Sequence, residues 1–362
     1  MRFPGFEGEW KNTFLKNECI INPKTSELED QFLYIDLESV VKGQLVKHNV
    51  ISKEGAPSRA QRVLSKWDIL YQCVRPYQLN NYIVRDDYPL QRVASTGYAQ
   101  IRTKHNPDFL FQLLHTKKFT DQVINRCTGT NYPAINSTDL GGIGISVPGI
   151  KEQGRIAELI TLIDHRIAIQ SKVIERYESL IKALRHHIFA SINPVEEVCF
   201  SDILSYEQPT RYIVTDTEYS DDKDLTPVLT ANKAFILGYT DEKEGIYKKG
   251  PCIILDDFTL DCKIVDFPFK VKSSAIKILT TKSSVNLRYV YEYLRYLDLN
   301  TEEHKRHYIA EIEPMSIALP GKAEIDAIAN LFSKLDSRKQ LAERDLELLK
   351  SEKAFYLNSL FI

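Results

Sequence analysis

The residue types in this chain that could do chemistry are spaced for recognition rather than for catalysis. Its 362 residues contain no GxGxxG or GxxxxGKS/T loop to cradle a phosphate. They contain neither a GxSxG elbow nor an HExxH pair. Asp256-Asp257 could be taken as a metal site, but one acidic pair beside a Phe-Thr turn more often serves structure. His186 and His187 are adjacent, whereas a helix brings together residues three or four apart, so both rings cannot face one ligand. The basic residues are distributed more tellingly. Net charge is −2, yet residues 31–146 carry fourteen Lys/Arg against nine Asp/Glu, and residues 193–318 carry fifteen against twenty-two. Inside that acidic segment, residues 263–288 hold six basic residues and one acid, Asp266. Each basic stretch can face phosphate groups or can be an ordinary solvated surface.

Composition narrows the class. Charged residues make up 27% and apolar residues 43%, as in a folded soluble protein. The length suits two or more domains, each with its own core. No apolar run approaches the ~20 residues of a membrane span. The opening MRFPGFEGEWKN lacks the apolar core of a signal peptide. Cys19, Cys73, Cys127, Cys199, Cys252 and Cys262 form no CxxC pair and no zinc spacing with histidine. Free thiols in a reducing cytoplasm are the expectation.

The elements that must position these groups repeat. Residues 147–190 (VPGIKEQGRIAELITLIDHRIAIQSKVIERYESLIKALRHHIFA) match residues 319–362 (LPGKAEIDAIANLFSKLDSRKQLAERDLELLKSEKAFYLNSLFI) at an offset of 172. The offset superimposes Pro148 on Pro320, Gly149 on Gly321, Glu152 on Glu324, Asp164 on Asp336 and Phe189 on Phe361. In the first copy Ile156, Ile160, Ile163, Ile167, Gln170, Ile174, Tyr177, Ile181, Leu184 and Ile188 alternate in steps of four and three. That is an a/d seam of the coiled-coil kind. The second copy keeps the phase through Ile328, Phe332, Leu335, Lys339, Ala342, Leu346, Leu349, Lys353, Tyr356 and Leu360, with the two lysines weakening it. A Pro-Gly pair precedes the first helix and Asn193-Pro194 closes it. About 40 residues at ~1.5 Å each make a helix of roughly 60 Å. Two helices with matching stripes most simply pair with each other, antiparallel, with a globular part at either end.

The remaining segments read as short strands followed by one helix. The first shows FLYIDL at 32–37, DILYQCV at 68–74 and NYIV at 81–84, then a helix over 107–125. The second runs through TPVLTANKAFILGYT, GPCIILDDFT and FKVKSSAIKIL to a helix over 286–298. The expected fold class is α+β, with two globular domains of mixed or antiparallel sheet and two long antiparallel helices in a pseudo-twofold arrangement. The expected boundaries are 1–146, 147–192, 193–318 and 319–362.

These residues resemble the specificity (S) subunits of type I DNA restriction–modification systems. The strongest marks are VPGIKEQGRIAELITLIDHRI and LPGKAEIDAIANLFSKLDSRK, each a proline, a short spacer and a long helix with Ile-Ala and Asp. RFPGFEGEW, APSRAQRVLSKWDILYQCVRPY and YEQPTRYIV add to them. Trp67 stands where a glycine commonly precedes the aspartate of the DIL segment, and Glu324-Ile325 stands where the first copy has Glu152-Gln153. The resemblance implies two target-recognition domains, each reading one half of a split sequence in double-stranded DNA. It implies that the helices set the unread spacer and dock methyltransferase (M) subunits, with restriction (R) subunits outside them. The chain itself would perform no chemistry and bind no cofactor, with S-adenosylmethionine, ATP and Mg on the partners. The alternative is a coiled-coil interaction scaffold without DNA readout, for which the acidic second segment speaks.

Base edges are read by bidentate Arg or Lys on guanine and Asn or Gln on adenine, while Lys and Arg on phosphate set register. On that chemistry the candidates in the first domain are Lys53, Ser58, Arg59, Gln61, Arg62, Arg75, Tyr77, Asn80, Asn81 and Arg92. In the second they are Gln208, Arg211, Tyr212, Thr230, Asn232, Lys233, Lys270, Lys272, Ser273, Ser274 and Lys277. Each of them could equally serve a surface ion pair or a turn.

Overall fold

The computed structural model describes residues 2–230, 235–282, 285–299 and 305–361. The chain divides into two compact units, Met1–Ser171 with Asp345–Ile362, and Lys172–Arg344. The division falls inside both long helical segments, between Ser171 and Lys172 and between Arg344 and Asp345.

The first unit runs β1 (Lys11–Phe14), α1 (Leu15–Glu18), β2 (Cys19–Ile21), β3 (Gln31–Ile35), β4 (Val40–Val41), β5 (Gln44–Leu45), β6 (Asn49–Ser52), β7 (Ala60–Val63), β8 (Ile69–Gln72), β9 (Tyr82–Ile83), β10 (Gln91–Ser95) and β11 (Tyr98–Thr103). It continues through α2 (Pro107–Leu113), α3 (Lys117–Ile124), α4 (Ser137–Gly141) and β12 (Gly144–Val147) into α5 (Ile150–Ala190). One sheet has the order β2-β11-β8-β9, a second β6-β3-β10-β7, and β1 pairs with β12. Strand β8, ILYQ, is buried throughout, as a strand covered on both faces should be. The single helix expected over 107–125 is two. The Thr116 hydroxyl donates to the Leu113 carbonyl and accepts from the Phe119 amide, ending one helix and capping the next.

The second unit repeats this plan with β13 (Glu196–Cys199), α6 (Phe200–Ile203), β14 (Leu204–Glu207), β15 (Thr226–Leu229), β16 (Ile236–Thr240), β17 (Cys252–Asp256), β18 (Cys262–Val265), β19 (Lys270–Val271), β20 (Ile276–Thr281), α7 (Leu287–Tyr296), β21 (Ser316–Leu319) and α8 (Lys322–Leu360). Its sheets have the orders β14-β20-β17-β18 and β16-β15-β19, and β13 pairs with β21. Strand for strand, β14-β20-β17-β18 corresponds to β2-β11-β8-β9. In the other sheet β3 is antiparallel to β6 and parallel to β10, and β15 is likewise antiparallel to β16 and parallel to β19. The fold is α+β with mixed sheets, and the duplication first visible in the helices extends to the strand order.

Helix α5 is 41 residues long and α8 is 39. In the first unit Ile156 and Ile160 share a core with Leu360 and Phe361, and Asp164 pairs with Lys353 at 2.7 Å. In the second, Glu178 pairs with Lys339 at 2.9 Å, and the Arg185 guanidinium lies over the Phe332 ring. As the α5 number rises its α8 partner falls, so the segments are antiparallel in each unit. Ile156, Ile160, Ile163, Ile181, Ile328, Phe332, Leu349 and Leu360 are buried, and Ile167, Ile174, Tyr177, Leu184, Ile188, Leu335, Leu346 and Tyr356 are half-buried. The seam lysines are ion-paired across the helices, which explains how the stripe tolerates them.

The repeated phenylalanines end these helices in both cores. Phe361 packs against Trp10 and stacks on Phe109 at 5.2 Å. Phe189 sits among Tyr289, Tyr293 and Tyr296. The repeated aspartates do matching work: Gln112 donates to Asp164 at 2.8 Å, and Arg288 donates to Asp336.

Candidate nucleic-acid interface

In the first unit the loop joining β6 to β7 places Lys53, Ser58 and Arg59 on the surface, and Gln61 follows at the start of β7. Its ends lie at different edges of the sheet. The Lys53 amide donates to the Asp30 carbonyl just before β3, whereas the Arg59 carbonyl accepts from Thr96 just after β10. Gln61 folds its amide back onto the Ser58 carbonyl at 2.7 Å. Arg62 lies opposite Ala94, half-buried, with its Nε lacking a hydrogen-bond partner; burial lowers its pKa.

A second group follows β8. Arg75 and Leu79 are both left-handed, with φ of 53° and 52°, and flank a 3-10 turn at Pro76–Gln78. The Arg75 guanidinium lies 4.3 Å from the centre of the Tyr132 ring, and Tyr77 is exposed. The Asn80 side-chain oxygen Oδ1 accepts from the Lys42 backbone amide.

Two candidates in this unit need correction. Asn81 is 1% exposed; its carbonyl accepts from the Gln72 amide and its Nδ2 meets His115 Nε2 at 3.2 Å. Because His115 Nδ1 faces the Phe111 carbonyl at 2.7 Å, that nitrogen carries the proton and Nε2 accepts from Asn81. Arg92 is buried on β10 and bonds both the carbonyl and the carboxylate of Asp86. Neither side chain is free to reach a base edge: Asn81 is bonded inside the fold, and Arg92 is buried with both terminal nitrogens on Asp86.

In the second unit Gln208 and Arg211 are exposed in and beside the 3-10 turn Pro209–Tyr212, as is Thr210, which sequence reading passed over. Lys272, Ser273 and Ser274 are exposed after β19. These two groups lie at opposite edges of one sheet. Ile213 pairs parallel with Val271, and Leu229 pairs parallel with the same residue. Gln208 and Arg211 therefore enter at the amino edge, while Lys272–Ser274 and Thr230 leave at the carboxyl edge. Asn232 and Lys233 lie outside the described residues.

Three further candidates in this unit are corrected. Tyr212 is buried, and its hydroxyl donates to Glu207 at 2.8 Å. Lys270 is 3% exposed and pairs with Glu242 at 2.6 Å. Lys277 is buried with Asp257 at 3.4 Å and lies over the Tyr206 ring. Burial of a lysine demands an acidic partner, and these two have one. The acidic pair noted in the sequence serves the backbone: Asp256 accepts from Phe258 and Thr259, and Asp257 from His307 and Tyr308.

All six cysteines are free thiols, and burial pushes Cys19, Cys252 and Cys262 up to about 12. Among the described residues no helix is long and apolar enough to cross a membrane.

Residues 19–178 match the family described as type I restriction modification DNA specificity domain. The specificity subunit of the Escherichia coli type I restriction enzyme EcoR124I/EcoR124II is 46% identical over 132 residues, 35% of this chain and 32% of that protein. The HindI specificity subunit of Haemophilus influenzae is 25% identical over 183 residues, covering 49% and 40%. The matches thus span between about a third and two fifths of the length of these curated relatives. A type I restriction–modification S subunit from M. genitalium has the same fold, with a TM-score of 0.68 over 100% of this chain and 99% of that one at 13% identity. A chain solved in work on complex assembly and conformational transition of the type I R-M system gives 0.58 over 97% of each chain at 19% identity. Residues 19–178 carry a type I DNA specificity domain, and the chain as a whole has the same fold as a solved type I restriction–modification S subunit.

Proposed function

We propose that the chain is the non-catalytic DNA sequence-specificity subunit of a type I restriction–modification complex, each globular part reading one half of a split target. The observation that carries this reading is the duplication of strand order, with a specificity-domain match over the first copy. Two similar readers on one chain suit a target with two halves. Exposed Lys53, Arg59, Arg211 and Lys272 supply the kind of side chains that bond phosphates and base edges. The long helices set the unread spacer and dock M subunits, with R subunits added outside. S-adenosylmethionine, ATP and Mg belong to those partners.

The test is co-expression with a type I adenine methyltransferase that forms a complex with this chain, in a host without methylation, and single-molecule mapping of modified adenines. A split motif that disappears when this chain is deleted is the expected result. A stable complex that methylates no new motif would favour an interaction scaffold without DNA readout.

A further inference from the structure

Lys270 and Gly245 are the observations that the reading above leaves unexplained. Lys270 is a buried cation on the shortest strand of its sheet, and its Nζ donates to the Glu244 carbonyl at 2.7 Å and pairs with Glu242 at 2.6 Å. Glu242 in turn accepts the Thr215 amide at 2.8 Å and the Asp216 amide at 3.1 Å. The Lys270 ammonium is the main cause that holds its carboxyl down at about 2, with the two amides adding to it. Gly245 has φ of +62°, and a Cβ there would lie 2.5 Å from the Arg211 carbonyl oxygen and 3.2 Å from Lys270 Nζ. On the other side, Glu207 holds the Tyr212 hydroxyl and Lys249, each at 2.8 Å.

The segment 208–212 is thus held by the Tyr212–Glu207 bond, by the close approach of Gly245 to the Arg211 carbonyl and by the Glu242 bonds just after it at Thr215 and Asp216, while Gln208, Thr210 and Arg211 stay exposed. Burying a lysine against a half-buried carboxylate is a costly way to hold a surface turn, and an apolar packing would hold it as well. A turn whose position must be reproducible to a fraction of an ångström justifies it, because bidentate contacts to base edges depend on placement. Its outward side chains, a glutamine and an arginine, are the types that bond adenine and guanine bidentately.

We infer that Gln208–Arg211 is the base-reading turn of the second domain, with Lys270, Glu242 and Gly245 as positioning residues and the opposite edge at Lys272–Ser274 outside the readout. The inference rests on the function proposed above. It turns Lys270 from a reader into a support and separates two groups that the sequence placed together.

The experiment uses the full chain in complex with its methyltransferase, mapping base preference at every position of both half-sites. Arg211→Ala should relax discrimination at one or two positions of a single half-site by roughly 10-fold or more, leaving the other half intact. Gly245→Ala should relax the same positions, a change in readout that a purely structural defect would not confine to them. Arg211→Ala is a surface change and keeps the test decisive even where Gly245→Ala fails to fold. If Arg211→Ala leaves both halves unchanged, or if Lys272→Ala alters preference and Arg211→Ala does not, the reading edge is the other one and the inference is overturned. Absence of any split motif from the unaltered chain would overturn the proposed function itself, and this inference with it.

Discussion

Asn81 shows how one residue type serves two chemistries. An asparagine among basic residues could read adenine, but here it satisfies the ring of His115. Burial pushes that histidine down to about 4 from its usual 6.5, and protonating Nε2 would also set two donors face to face with Asn81. The folded state therefore holds the ring neutral while the unfolded chain protonates it. Stability from this site is full above pH 6.5 and is lost as pH falls towards 4. Urea denaturation across that range should show the decline, and His115→Gln should flatten it. Trp67 is a different kind of residue: 43% exposed, with φ of 71°, in the left-handed region that favours glycine. A left-handed backbone costs an L-residue roughly 1–2 kcal/mol, and glycine's extra chain entropy returns about half of that. Trp67→Gly should raise stability by up to about 1 kcal/mol; a loss of that size in the same measurement would mean the indole makes contacts that matter. The sequence could not separate Arg59 from Arg92, or Lys272 from Lys270, because exposure depends on which strand covers which. Only the register of β10 and β19 decides it.

At the scale of elements, the long helices were legible because a seam repeated at a fixed offset leaves little choice of partner. The break at residues 114–116 was not, since Thr116 looks like any polar residue until its hydroxyl is seen bonding both helices. The parallel pairs β3–β10 and β15–β19 were also hidden, being made by short strands far apart in sequence. The repeated aspartates give a test at this scale. Asp164 accepts from buried Gln112 and pairs with Lys353. Asp164→Ala strands one buried amide and should cost about 1–3 kcal/mol. Asp336, itself half-buried, ends a chain in which Arg185 and Arg288 share the buried Glu292, at 2.8 and 2.6 Å. Asp336→Ala leaves two guanidiniums around one carboxylate and should cost more, roughly 3–5 kcal/mol. Equal losses in thermal or urea unfolding would show that the second network is solvated rather than buried.

For the molecule as a whole, the proposed function makes helix length a ruler. Four residues added to both α5 and α8, at levels matched by the Asp164–Lys353 and Glu178–Lys339 pairs, lengthen each by about 6 Å, near two base pairs of ~3.4 Å. The mapped spacer should grow while both half-sites persist. A complex that still methylates with an unchanged spacer would sink the ruler. The central claim is that each globular part reads its own half of the target. The most direct measurement exchanges residues 19–146 for the corresponding segment of a relative with a different target, then maps methylated adenines. The expected result is a hybrid motif in which one half becomes the donor's and the other is retained. A motif changed in both halves, or in neither, would contradict it.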